Sequence, residues 1–302
     1  MNSNPFKLFL QFLYLGCTSF GGPVAHIAIF RRQFVSQEKR LSEDEYATLV
    51  ALCQMIPGPA SSQVGMGLGY RFAGWQGALA AWVGFTLPSA ILMFAAALWV
   101  LSGGVANGDW FITAMKLVAV GIVTQALLGM WGQLCVDRET KIVALIAAIT
   151  FYAAPTPLTQ VAIIGLALFA GYLKSQSQDV EYSKLALQRV GIFGIALWLI
   201  GVIIASVPVD MNALWAVFTG HYLSGALVFG GGHVVLPLLE AEFVPPLDSE
   251  AFIAGYGFAQ AMPGPLFTLS SFIVALILPE AAFLRAALAV ILVMTSTDYL
   301  IQ

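Results

Sequence analysis

Gln54-Met55-Ile56-Pro57-Gly58-Pro59 and Gln260-Ala261-Met262-Pro263-Gly264-Pro265 are two copies of one pattern, 206 positions apart, and each interrupts an apolar stretch. Proline lacks the amide donor and glycine loosens the backbone, so each copy should end one helix and start another. A second pair of breaks precedes them, Phe20-Gly21-Gly22 matching Phe229-Gly230-Gly231 at an offset of 209. Between the breaks, Leu41-Ser42-Glu43-Asp44-Glu45-Tyr46 resembles Leu247-Asp248-Ser249-Glu250-Ala251-Phe252. Three matched blocks in the same order mark an internal duplication, and a small deletion in the intervening loop accounts for the change of offset.

The sequence around these breaks is built for lipid. Of 302 residues, 59% are hydrophobic and 10% charged, with a mean hydropathy of +0.86; a soluble domain carries about 25% charged residues. The net charge of −3 offers no basic field for nucleic acid. Cys17, Cys53 and Cys135 are scattered, form no C-x-x-C, and suggest neither a disulfide framework nor a metal site. The apolar first 30 residues read as a retained membrane segment and not a signal peptide.

A spanning helix needs about 20 apolar residues. Stretches near 76–101, 111–133, 158–173, 190–205 and 281–300 qualify, as does a shorter one at 141–154 that the turn Pro155-Thr156-Pro157 joins to its neighbour. Four apolar regions are interrupted instead: 6–31, 46–70, 213–239 and 251–278. Arg31, Arg32, Lys39 and Arg40 mark the loop after the first break as cytoplasmic, as do Arg138 with Lys141, and Lys174 with Lys184 and Arg189. The turns near 102–110, 153–158 and 206–212 hold no Lys or Arg and should be periplasmic. The second repeat's loop at 240–250 carries Glu240, Glu242, Asp248 and Glu250 and no basic residue, so the second repeat should be inverted. Reading the broken segments as re-entrant hairpins keeps every basic loop inside and places five spans between the repeats.

The expected fold is an all-α, polytopic integral membrane protein with two inverted homologous repeats and broken, re-entrant helix pairs. The first repeat covers 1–185, with hairpins at about 6–31 and 46–70 followed by spanning helices. A connecting helix and an incomplete second repeat cover 186–302, with hairpins at about 213–239 and 251–278. Position 302 corresponds to about position 96 of the first repeat, so counterparts of the helices from 111 to 173 are missing. That leaves open a homo- or hetero-dimer supplying those helices, and a non-transporting remnant or accessory subunit.

Broken helices persist at membrane depth only where they are buried in protein or line a polar cavity. Inverted repeats with such breaks are the pattern of secondary transporters that bind substrate at the midplane. New helices would begin at Ala60, at Leu266, near Pro23 and near Gly232, and a helix N-terminus is an anion site. The expected lining is Gly21, Gly22, Pro57, Gly58, Pro59, Gly231, Gly232, Pro263, Gly264 and Pro265. Ser61, Ser62 and Thr268 would add hydroxyls, and Gln54 and Gln260 amide donors. Such a site holds a tetrahedral dianion without arginine.

Plainer readings stand beside this one. A single Pro-Gly-Pro can be a kink, Ser61 and Ser62 can cap a helix, and Gln54 and Gln260 can tie helices together. His26 and His233 suit packing as well as proton coupling. Lys116 suits snorkelling as well as a charge partner. Glu43, Asp44 and Glu45 read as the first turn of a helix after Ser42, with Asp44 and Glu250 kept as a matched coupling pair. Gly65, Gly67 and Gly69 read as close helix packing, since no strand precedes them as a nucleotide loop requires. No catalytic constellation, cofactor motif or metal-ligand spacing is visible, which disfavours a membrane-embedded enzyme acting on a phosphate or lipid.

The run Phe20-Gly21-Gly22-Pro23-Val24-Ala25-His26, then Gln54 through Gln63 and Gly69-Tyr70, resembles the chromate transporter family. Phe229 through Pro237 and Gln260 to Thr268 resemble that family's other domain. The resemblance implies chromate efflux across the bacterial cytoplasmic (inner) membrane, chromate resistance, sulfate as an analogue, and two homologous halves of opposite orientation. The C-terminus departs from the two-domain pattern, which puts transport competence in question.

Overall fold

The computed structural model describes residues 4–103, 109–154, 157–174, 189–207, 213–228, 235–243 and 247–278. Gly231, Gly232 and His233, the turn at Pro155-Thr156 and the span expected at 281–300 lie outside the described residues. Every described element is helical.

Four pairs of short helices fold back on themselves where the sequence is broken. The first joins α1 (Pro5–Thr18) to α2 (Gly22–Phe30), which continues as a π-helix over Arg31–Gln37. Asn4 caps α1, its side chain accepting from the Phe6 amide at 2.9 Å with Pro5 in the first turn. The helix ends at Ser19, and Gly21 (φ 99°) and Gly22 (φ 73°) take the left-handed backbone of the turn. Phe12 against Phe34, ring centroids 5.5 Å apart, and Gln11 bonded to Glu38 show that the arms run antiparallel.

The second pair is α3 (Glu43–Met55) and the first arm of α4 (Ala60–Leu101). Ser42 and Glu45 form a capping box, the Ser42 side chain accepting from the Glu45 amide and the Glu45 carboxylate from the Ser42 amide. The acidic residues 43–45 are thus the first turn of α3, as their spacing suggests. Arg71 pairs with Glu45, and Gly67 lies against Leu49, so this hairpin too closes on itself with Gly58 (φ 125°) at its tip. At 1.5 Å per residue, arms of 13 residues reach about 20 Å, short of a ~30 Å hydrocarbon core. Backbone and side-chain bonds from Ser42 hold the Glu45 carboxyl below its usual range. Ser42→Ala should therefore cost about 1 kcal/mol, read as a lower thermal midpoint in detergent. Part of that deficit should vanish as pH falls through the depressed Glu45 pKa, because the Ser42 hydroxyl's bond to the carboxylate is lost there in the parent protein too, while the amide's bond is common to both chains.

α4 reverses at Ala73 (φ −148°) and Gly74 (φ 61°), and Gly69 and Gly77 then meet backbone to backbone. The reversal falls between the hairpin expected to end at 70 and the span expected to start at 76. The second arm crosses α1 where a Cβ on Gly16 would stand 2.6 Å from the Phe85 oxygen and one on Gly84 2.6 Å from the Phe9 oxygen.

α5 (Asp109–Leu134), α6 (Arg138–Ala153), α7 (Pro157–Lys174) and α8 (Arg189–Ser206) occupy the stretches read as spans. α9 (Ala213–Ala226) and α10 (Val235–Phe243) form the third antiparallel pair, with His221 4.3 Å from Phe243 between ring centroids and Glu242 over Gly220. The fourth pairs α11 (Ser249–Ala261) with a 3-10 turn at Leu266–Thr268 and α12 (Leu269–Ile277). Phe272 packs on Gly255 across it, and Gly264 (φ 102°) forms its tip. Asp248 caps α11 through the amides of Glu250 and Ala251, at the repeat position of Ser42.

The core falls into two clusters. Leu8, Phe12, Phe30, Phe34, Val64 and Phe72 gather the first two hairpins around α4 as far as Phe85. Met93, Ala97, Leu239, Phe252, Phe267 and Phe272 gather the last two hairpins around the rest of α4. The second arm of α4 therefore runs from one pair of hairpins to the other, with the tips at the level between.

Candidate functional site

The tips are joined crosswise. The Gly58 amide donates to the Val228 carbonyl at 2.6 Å, and the Gly264 amide donates to the Ser19 carbonyl at 2.9 Å. Val228 and Ser19 each directly precede a Phe-Gly-Gly run, so the two bonds fall at matched sequence positions: 19 and 228 differ by 209, 58 and 264 by 206. Each Pro-Gly-Pro glycine thus bonds the carbonyl of a residue that directly precedes a Phe-Gly-Gly run. A Cβ on Gly264 would stand 2.7 Å from the Ser89 Cβ, so the approach requires glycine for space as well as for φ.

Pro59 supplies the N-cap of α4 but has no side-chain hydroxyl to cap with. The amides of Ala60 and Ser61 lack intrahelical acceptors by position. Both residues are nearly fully buried, as is Ser62, whose Oγ has no hydrogen-bond partner. Ser61 and Ser62 thus sit inside the first turn and are not its cap. Gln63 folds its side-chain amide back onto the Pro57 carbonyl at 3.0 Å and stiffens the tip. Gly65, one turn along, faces Phe12 and Phe30. The second tip is more closed. The Thr268 hydroxyl donates to the Pro265 carbonyl at 2.8 Å and accepts from the Ser89 hydroxyl at 2.6 Å. Its donor is already engaged, so it differs from the free Ser62 hydroxyl at the first tip.

His26 is fully buried beside the first break. Its Nε2 lies 3.3 Å from the Ser19 carbonyl, which can only accept, so Nε2 carries the hydrogen and Nδ1 a lone pair. Nδ1 has no partner, and the ring meets Phe85 edge-on at 5.1 Å. Ser19 O therefore receives hydrogen bonds from both halves of the chain.

Other residues lie apart from the tips. Gln54 is exposed, whereas Gln260 is buried with its amide on the Tyr256 hydroxyl at 2.6 Å. Asp44 lies exposed in the first turn of α3. Glu250 pairs with Lys116 at 3.0 Å, which gives that lysine a carboxylate partner at the outer end of α11. Sequence reasoning did not mark Ser19, Val228, Ser89 or Tyr256. Ser89 follows Pro88, a proline inside a helix, and that was the one available signal.

The chain matches the family described as Chromate transporter over residues 6–173 and 215–301. A chromate transport protein of Pseudomonas aeruginosa is 26% identical over 277 residues, 88% of this chain and 65% of the relative. A chromate transport protein of Cupriavidus metallidurans is 27% identical over 295 residues, 93% of this chain and 70% of the relative. A probable chromate transport protein of Synechococcus elongatus is 29% identical over 276 residues, 88% and 68% respectively. The chain thus spans about two thirds of the length of these relatives. No solved structure matches. Because the match runs through the described breaks of both halves, the chain belongs to the chromate transporter family.

Proposed function

We propose that this chain is a multi-pass protein of the bacterial cytoplasmic membrane that carries a tetrahedral oxyanion. Chromate is the physiological substrate, sulfate the analogue, and export the direction that yields resistance. Two halves of opposite orientation meet at their broken tips. The observation that carries the reading is the first turn of α4, where the amides of Ala60 and Ser61 and the unpartnered Ser62 hydroxyl lie together in a buried tip. Donors without a positive side chain hold an oxyanion through the helix dipole and still let it leave. Support for opposed halves comes from the crosswise tip bonds and from the two core clusters at opposite ends of the α4 arm.

Gly21, Gly22, Pro57, Gly58, Pro59, Pro263, Gly264 and Pro265 shape the site, and Ser61 and Ser62 donate to the anion. His26 is the proton-coupling group in this reading, since its Nδ1 lone pair beside the break is the proton acceptor left open by the bond from Nε2 to Ser19 O. Export from a negative interior is favoured by about 2.3 kcal/mol per charge per 100 mV. A carrier fits better than an enzyme, since the described residues of the tips present donors and, among them, no nucleophile–base pair.

Uptake of radiolabelled chromate into inverted membrane vesicles tests the reading. Ser61→Leu and Pro57→Ala should each reduce the initial rate at least ~10-fold, the equivalent of losing about 1.4 kcal/mol of anion stabilisation. Wild-type rates in both variants, at equal protein in the membrane, would remove the first tip from the pathway.

A further inference from the structure

The second tip is held by one bond to the turn after α1 and by another to α4. Gly264 donates to Ser19 O at 2.9 Å, and Ser89 bonds the Thr268 hydroxyl at 2.6 Å. Gly264 approaches so closely that a Cβ would meet the Ser89 Cβ at 2.7 Å and the Gly16 oxygen at 3.5 Å. Ser89 is 1% exposed and Thr268 fully buried. Ser89 lies next to Pro88, which has no amide to give to Gly84 O, so the helix is short of one rung beside the attachment. Among the described residues the first tip shows no such hydroxyl pair: Ser62 stands where Thr268 does in the repeat and its Oγ is unpartnered, while position 295, the counterpart of Ser89, lies outside the described residues. The two tips thus make matching backbone bonds, and the second adds a side-chain bond to α4.

We propose that Ser89 is a positioning residue that latches the second Pro-Gly-Pro tip onto α4, and that this latch must release and re-form in each transport cycle. The inference rests on the oxyanion reading above. Alternating access needs one half to move against the other, and the Ser19–Gly264 and Ser89–Thr268 bonds join elements of different halves at tip level. Breaking both costs two neutral hydrogen bonds and no ion pair, which suits an attachment made and broken at every turnover. Pro88 supplies the bend point on α4 next to it.

A reversible cross-link tests the latch. In a chain with Cys17, Cys53 and Cys135 replaced by alanine, Ser89→Cys and Thr268→Cys place two sulfurs where hydroxyl oxygens now lie 2.6 Å apart. Side chains in hydrogen-bond contact bring the two sulfurs within reach of one another. Chromate binding to the purified protein and chromate uptake by inverted vesicles are measured on the oxidised and reduced forms. The expected result is binding within ~2-fold in both forms, with uptake lost on oxidation, by at least ~10-fold, and restored by dithiothreitol. Uptake at the reduced-form rate in fully cross-linked protein overturns the latch and leaves the oxyanion reading intact. A wild-type chain that binds no chromate or sulfate overturns the reading, and the latch with it. Should the double variant be inactive even when reduced, Ser89→Ala decides: the latch requires an altered maximal rate with binding unchanged, and a wild-type rate with wild-type binding overturns it.

Discussion

Gly264→Val should abolish chromate uptake and destabilise the chain by several kcal/mol. Two independent costs add at this position. At φ 102° a β-branched side chain occupies backbone space that L-residues avoid, a strain of about 1–3 kcal/mol. Its Cβ would also stand 2.7 Å from the Ser89 Cβ, and overpacking of that kind costs about 1–3 kcal/mol more. The chain relieves both by moving the tip off α4, which breaks the bond to Ser19 O and separates the two halves. Gly103→Ala is the control. Gly103 has φ 76° with nothing within 4 Å of a Cβ, so only the backbone term remains. The measurements are the thermal midpoint in detergent and vesicle uptake at matched protein level. A Gly264→Val chain that is as stable and as active as Gly103→Ala would mean that the tip does not sit against α4.

Local chemistry explains which parts of this arrangement the sequence revealed. The helix ends near Gly21-Gly22, Pro57-Gly58-Pro59 and Pro263-Gly264-Pro265 follow from where proline removes a donor and glycine admits positive φ, and those are properties of the residues themselves. The N-caps at Ser42 and Asp248 are equally local, because a short polar side chain meets amides two or three residues on. The crosswise bonds are different in kind. Ser19 and Val228 contribute only carbonyl oxygens, which every residue has, so no side-chain pattern marks them. Ser89 and Thr268 meet across 179 positions, and their pairing depends on how far α4 reaches past the tips before it packs on the second half. The π-helical turn at Arg31–Gln37 also gave no warning. It continues the α2 arm into the polar run Arg31–Gln37, and it leaves Arg31 within 2.7 Å of Glu43 at the open end of the hairpins.

A graded series at Gly65, Gly67 and Gly69 tests whether these glycines serve helix packing. A methyl group at Gly65 would lie 3.4 Å from the Phe12 ring and 3.6 Å from Phe30, near ordinary contact. Gly65→Ala should therefore be close to neutral, the new contact offset by a gain in helix propensity of about 1 kcal/mol. At Gly67 the methyl would meet Leu49 Cδ1 at 2.7 Å. That atom is the far end of a flexible side chain, and a rotamer change costing about 0.5–1.5 kcal/mol accommodates it. At Gly69 the obstacle is the backbone oxygen of Gly77, with the Ala81 Cβ close behind. Neither can rotate away, so the two arms of α4 must part along their length, and a loss of at least ~3 kcal/mol is expected. The order 65, 67, 69 in thermal midpoint follows from what stands opposite each Cα and not from burial, because all three lie on one arm. Close approach of this kind is how helices associate where lipid removes the hydrophobic drive between them. A nucleotide-binding role would instead make all three positions equally intolerant, with ligand binding lost before stability. Equal midpoints for the three alanine variants would show that the reversal at Ala73-Gly74 does not bring the arms together, and the path of α4 from one pair of hairpins to the other would have to be redrawn.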